Sequence, residues 1–306
     1  MRPPKTFELR IFPHGDNPAT TKMEISGWLI SQGWDSFVEG TVDDVDLILD
    51  QGQPDASMYD DLGGATGYLS LFKFEKEALE DLLSRLKNTF GNRLQFEWHS
   101  MDTEIWAEGW KESFRPITTQ KFYIYPPWDD IPPPADKIPV CIEPGMAFGS
   151  GQHATTQLCL RAIETLVATL PNRKSLRVCD VGTGSGILAI GLAKLGVGEV
   201  IATDVDADAI LAAHKNAQDN QSQVTVQGID KPNPGPFHLV VANIISSTIK
   251  RLLPEFASIL APGGWLIVSG ILEEESDDVA AEGVKFHFKK HSLSLQDGWG
   301  CLILKK

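Results

Sequence analysis

Apolar positions recur along this chain in two different rhythms. At the front, Phe7-Glu8-Leu9-Arg10-Ile11 alternates as an edge-compatible strand, while Ile25, Trp28, Leu29 and Gln32 within 22–32 fall at helical spacing. Trp34–Val42 and Tyr68–Phe74 read as strands, Glu75–Phe90 as a helix and Leu94–His99 as another strand. In that helix Ala78, Leu79, Leu82, Leu83 and Leu86 form one apolar stripe with Glu and Lys opposite. The order β-α-β-β-α-β predicts a small α+β, ferredoxin-like unit over residues 1–100.

Thr103–Phe114 has a short helical pattern whose Ile105, Trp106, Trp110 and Phe114 are spaced for packing rather than for a ligand platform. Pro116, Pro126, Pro127 and Pro132-Pro133-Pro134 follow, so residues 101–137 read as a semi-rigid connector. From Ile138 to the end the rhythm is strand and helix in turn. Strands are expected at 176–181, 199–203, 223–227, 237–242 and 265–268, with helices at 186–195, 206–217 and 246–260 between them. Such alternation builds an α/β domain with a parallel sheet, here over 138–306. Lys285–Leu295 and Trp299–Leu304, joined by Gln296-Asp297-Gly298, predict a closing antiparallel hairpin.

The candidate chemistry sits where the first parallel strand ends, at Asp180-Val181-Gly182-Thr183-Gly184-Ser185-Gly186. Glycines at alternate positions, Gly182, Gly184 and Gly186, leave no Cβ to block a ligand from the backbone, and free N–H groups of the helix start are expected to face it. The dinucleotide fingerprint needs a sixth-position Gly, and Ile187 stands there, which weakens a nicotinamide reading. A ligand-free structural turn is the plainer alternative, although such turns seldom need three glycines. The next strand ends in Asp204, whose carboxylate suits a ribose diol; this is the pattern of class I, Rossmann-like methyltransferases that bind S-adenosylmethionine.

Ahead of it, the loop Glu143 to Thr156 is rich in Gly, Ser and Thr and leads into a helix from Gln157. Thr155 or Thr156 would either cap that helix or face the cofactor's methionine end. Asn243, at a later strand end, has a neutral carbonyl able to accept from an amine or from the cofactor's amino group; a turn-forming role is its alternative. His153 is a lone loop histidine, better suited to hydrogen bonding than to base catalysis.

Composition narrows the partners. A formal net charge of -14 argues against a direct nucleic-acid groove and favours a basic protein partner, with the acid excess leaning to the front, where residues 1–100 hold nine Lys/Arg against seventeen Asp/Glu. No apolar stretch is long enough to cross a bilayer and none resembles a signal peptide. Cys141, Cys159, Cys179 and Cys301 form no Cys-x-x-Cys pair, so they read as reduced thiols of a cytoplasmic protein, and the scattered histidines predict no metal site.

The loop Glu143-Pro144-Gly145-Met146-Ala147-Phe148-Gly149 with His153 and Thr155-Thr156, the turn Gly182–Gly186, Val241-Ala242-Asn243-Ile244 and Ser269-Gly270-Ile271-Leu272 resemble the bacterial PrmA family, as do Trp106, Trp110, Lys111, Phe114, Pro116 and Pro127-Trp128. The resemblance runs from about Ile105 to the C-terminus and is only architectural over 1–100; Ser150 stands where the family commonly has Thr. It implies a ferredoxin-like substrate-recognition domain, a linker, and a catalytic domain that uses S-adenosylmethionine to trimethylate amino groups of the large-subunit ribosomal protein numbered eleven. The family's cofactor contacts carry onto Thr156, Gly182, Asp204 and Asn243; Gly184 joins them through the glycine turn, and Asp230 is where an acidic contact to adenine would fall. A methyltransferase acting on another protein or a small amine, and a binding module without catalysis, are the rival readings.

Amine methylation sets its own demand on the pocket. Deprotonating a lysine at neutral pH costs about 4.6 kcal/mol, an α-amine only about 1 kcal/mol. The site should therefore desolvate the amine and accept an N–H without a carboxylate that would clamp the ammonium form.

Overall fold

A computed structural model describes residues 5–14, 17–32, 34, 38–40, 67–73, 76–102, 115–143, 149, 151–229 and 235–306. The expected helix over 103–114, Asp230, Ser150 and residues 144–148 of the loop lie outside the described residues. The chain divides into two compact units, Met1–Phe114 and Arg115–Lys306.

In the first unit β1 (Lys5–Pro13), α1 (Pro18–Ser31), β2 (Val38–Gly40), β3 (Tyr68–Lys73), α2 (Lys76–Phe90) and β4 (Leu94–Asp102) follow in the expected ferredoxin-like order. The sheet runs β2-β3-β1-β4 and is antiparallel throughout. Pairing sets Leu9 opposite Leu71 and Ile11 opposite Leu69, and Ile25 and Leu29 of α1 join Leu79, Leu82, Leu83 and Leu86 of α2 in one core with them. A helix of this length is marginal alone; each buried Leu contributes about 1.5–3 kcal/mol, which is why the stripe and not propensity holds α2. β1, whose alternation would also suit an edge, is an inner strand. Its polar residues tolerate this by pairing, since Arg10 Nε donates to Glu8 Oε1 at 2.6 Å and Ser70 Oγ to the same oxygen at 2.7 Å.

The second unit starts with a three-stranded sheet of β5 (Ile117–Thr118), β6 (Phe122–Tyr125) and β7 (Ile138–Cys141), the first two drawn from residues whose prolines read as a connector. Its anchor is Glu164 on α3 (Ala154–Thr169), a buried carboxylate that accepts from Thr119 Oγ1 and from the backbone N–H groups of Lys121 (2.7 Å) and Phe122 (3.2 Å). No short-range pattern marks that contact.

The main layer follows: β8 (Arg177–Val181), α4 (Ile187–Lys194), β9 (Glu199–Asp204), α5 (Ala207–Asp219), β10 (Thr225–Gly228), β11 (Phe237–Asn243), α6 (Ser246–Ile259), β12 (Leu260–Leu272), α7 (Ser276–Val284), β13 (Lys289–Gln296) and β14 (Trp299–Lys305). Their order is β10-β9-β8-β11-β12-β14-β13, parallel through β12 and antiparallel in the last two. This is the class I, Rossmann-like methyltransferase sheet with its closing hairpin. Asp297 (φ 51) and Gly298 (φ 77) are both left-handed, the two-residue turn that matches strand twist. Helix α7 was not anticipated, and the strand expected at 265–268 extends over Leu260–Leu272. The strand expected from Lys285 starts at Lys289 because Phe286 and His287 N–H groups bond back to Gly283 and Val284.

Candidate active site

At the end of β8 the chain turns through Gly182 (φ 73), Gly184 (φ 55) and Gly186 (φ 83) into α4. These φ values favour glycine, and two of the three positions are also crowded. A Cβ on Gly182 would stand 2.5 Å from Ile244 Cγ2, and one on Gly186 would stand 3.2 Å from Ala213 Cα of α5. The turn's amides, however, correct the expectation of free donors facing a ligand. Gly182 N and Thr183 N both donate to Thr203 O (2.9 and 3.0 Å), Gly184 N donates to Asp204 Oδ2 (2.9 Å) and Gly186 N to Thr183 O (2.9 Å). Because β9 lies beside β8, its last residues offer nearer acceptors than any ligand. A phosphate cradle needs unspent N–H groups, so this turn is ill suited to a pyrophosphate.

Asp204, at the end of β9, is 9% exposed and held by two backbone donors, Gly184 N on Oδ2 and Asp206 N on Oδ1 (3.0 Å). Each oxygen keeps a further lone pair, so the carboxylate is oriented without being used up. Val205 and Ile229 directly follow the paired ends Asp204 and Gly228 of β9 and β10, and are 78% and 62% exposed. Two large apolar side chains left open at neighbouring strand ends were missed in the sequence, where nothing distinguishes them from buried strand residues.

Asp180 lies in β8, just before the turn. It is fully buried; Oδ2 accepts from Thr183 Oγ1 (2.7 Å) and Ala189 N (3.2 Å), while Oδ1 has no partner. Burial pushes its carboxyl from 3.8 up to about 7, against the pull of Thr183 and Ala189 and with a push from Asp204. Between these values the folded state holds a proton that the unfolded chain has lost, so this group makes stability fall as pH rises from about 4 to about 7 and then level off. Asp180→Asn keeps the acceptor and abolishes the titration. The Tm of this variant relative to the parent should therefore climb between about pH 4 and pH 7 and level off above that, and a difference that does not change with pH would refute the assignment.

Thr156 and Asn243 form the other side of the rim. The cap of α3 is His153, whose Nδ1 accepts from Thr155 N (3.4 Å) and lies 2.8 Å from Thr155 Oγ1, with its ring edge-on to Trp299 at 4.9 Å. Neither threonine is the cap, therefore, and Thr156 is fully buried inside the first turn. Asn243 closes β11, is 8% exposed and directs Nδ2 to Thr156 Oγ1 at 3.4 Å; its Oδ1 is buried with no partner. A buried carbonyl without a donor costs about 1–3 kcal/mol, so this atom is a vacant acceptor.

The fold thus brings the sequence-derived residues together in two contacts, Gly184 with Asp204 and Thr156 with Asn243, and Gly182 faces Ile244 next to Asn243. All stand at carboxyl ends of neighbouring strands or at the start of a helix, where open α/β sheets place ligands. Among the described residues no group of His, Cys, Asp or Glu could hold a metal, and no helix is long and apolar enough to cross a membrane. None of the four cysteines is in a disulfide.

Residues 25–306 match the family model of the ribosomal protein L11 methyltransferases (PrmA). A ribosomal protein L11 methyltransferase of Symbiobacterium thermophilum is 40% identical over 215 residues, covering 69% of this chain and 68% of that protein. Another, of Pelotomaculum thermopropionicum, is 38% identical over 229 residues and covers 73% of each. Among solved structures, a ribosomal protein L11 methylase from Lactobacillus delbrueckii subsp. bulgaricus is 32% identical with a TM-score of 0.57, covering 62% of this chain and 98% of that one. The chain belongs to the PrmA family of ribosomal protein L11 methyltransferases.

Proposed function

We propose that this protein transfers methyl groups from S-adenosylmethionine to lysine and α-amino groups of ribosomal protein L11, the protein its relatives are named for. The observation that carries the reading is the vacant, buried Oδ1 of Asn243, the residue whose Nδ2 donates to Thr156 Oγ1. A neutral acceptor at a strand end can take an N–H from an amine while leaving its lone pair free, which a carboxylate at that position would oppose by stabilising the ammonium form.

The residues present fit the cofactor. Asp204 holds the ribose diol with the lone pairs that Gly184 and Asp206 leave it. Val205 and Ile229, both exposed, would supply apolar surface to the adenine. Gly182 and Gly184 allow the close backbone approach, and Thr156 and Asn243 hold the amino-acid end and the incoming amine. When bound, the cofactor supplies an electrophilic methyl carbon on a sulfonium sulfur. The amine's lone pair must lie in line with that carbon, so the residues act by orientation and desolvation, and solvent takes the released proton. The first unit, the ferredoxin-like one, is proposed to hold the target protein.

The test is intact-mass spectrometry of purified ribosomal protein L11 incubated with this protein and S-adenosylmethionine. Increments of one, two and three methyl groups on lysine or the N-terminus are expected; an unmodified target, with methyl transfer to another protein or a small amine, would sink the substrate assignment. Asn243→Ala should lower kcat by about tenfold to a hundredfold. A variant as fast as the parent removes Asn243 from the reaction.

A further inference from the structure

We infer that Asn216, on α5, is a positioning residue that sets the glycine turn in register with the chain leading to Thr156. The inference rests on the cofactor reading above. Asn216 is 1% exposed and both ends of its amide are used: Oδ1 accepts from Glu143 N at 3.0 Å, just beyond β7, and Nδ2 donates to Ser185 O in the turn at 2.8 Å. One side chain therefore joins two segments distant in sequence. Ser185 repeats the link from the other side, since its Oγ donates to Gly149 O at 2.6 Å and a Cβ on Gly149 would stand 2.9 Å from that oxygen.

The same helix face makes the arrangement rigid. Ala213, one turn before Asn216, packs on Gly186 so closely that a Cβ there would lie 3.2 Å from it. Asn220, the C-cap one turn after, grips β7 and its own helix but not the turn: its Oδ1 accepts from Cys141 N at 2.9 Å, and its Nδ2 donates to Cys141 O at 2.5 Å and to Asn216 O at 2.8 Å. On the exposed side of the helix, Lys215 bridges Glu143 and Asp219. Asn216 and Asn220 thus hold the same strand exit from the same helix, but only Asn216 reaches the turn. That difference separates a positioning role from simple support of the fold.

Binding of S-adenosylhomocysteine, the demethylated product, to the intact protein should be measured by calorimetry alongside Tm without ligand. Asn216→Ala removes both links, and Asn216→Asp keeps the acceptor for Glu143 N but loses the donor to Ser185 O. Both should weaken binding by about tenfold. Asn220→Ala should lower Tm with affinity changed by less than about twofold. Asn216→Asp, the nearer isostere, keeps the test open if the alanine variant does not fold. Affinity unchanged in Asn216→Asp, or an equal loss in Asn220→Ala, overturns the inference. A parent protein that binds no S-adenosylhomocysteine instead overturns the cofactor reading on which it depends.

Discussion

Asp204→Ala is expected to weaken S-adenosylhomocysteine binding by about a hundredfold or more, because two charge-assisted hydrogen bonds to a ribose diol are each worth about 1.5–3 kcal/mol. Its effect extends beyond the lost ligand contacts. The carboxylate also receives Gly184 N and Asp206 N, so its removal leaves two backbone donors near the rim without acceptors. A loss of about 1–3 kcal/mol in ligand-free stability should accompany the binding defect. Asp204→Asn can satisfy one of the two donors and should fall between parent and Ala in both measurements. Calorimetric affinity for Asp204→Ala within about threefold of the parent would exclude Asp204 as the diol acceptor.

Gly182→Ala should destabilise the second unit by about 2–5 kcal/mol, lowering Tm by roughly 10 °C in the absence of ligand. Two costs combine there: a left-handed φ of 73, and a Cβ placed 2.5 Å from Ile244 Cγ2. Cγ2 sits on a branched β-carbon and cannot swing away as the tip of a longer chain would. Gly196→Ala isolates the first cost, since its φ is 83 but no atom lies within 4 Å of the added carbon. That variant should lose only about 1–2 kcal/mol. The pair Gly182→Ala with Ile244→Ala should then be more stable than Gly182→Ala alone. Equal Tm values for the Gly182 and Gly196 variants would show that the crowding is relieved by some other movement.

Much of the architecture could be read in one dimension because its signals are local. The stripe Leu79, Leu82, Leu83 and Leu86 is buried as its spacing requires, and Asp297-Gly298 forms the turn its residue types demand. Glu8 and Arg10, by contrast, look like the solvent face of an edge strand until their mutual pairing allows β1 to lie inside the sheet. The strands β5 to β7 are concealed by their prolines, and depend on a carboxylate of Glu164 far along the chain.

The candidate site divides in the same way. Gly182, Gly184, Asp204 and Asn243 stand out as candidates because glycine alternation and polar residues at strand ends are written in the order of residues, whereas Thr156 is set apart from Thr155 only by the family resemblance. What those residues do with their atoms is not written there. Whether a turn amide faces outward or bonds to Thr203, whether His153 or a threonine caps α3, and whether the carboxyl of Asp180 meets water are outcomes of which segments become neighbours. Local sequence alone determined periodicity, turn chemistry and the candidate residues, because each depends on covalent geometry and on positions a few residues apart. Tertiary structure alone decided donor use, desolvation and the link through Asn216, because a hydrogen bond or a buried charge takes its energy from atoms that only folding brings within reach.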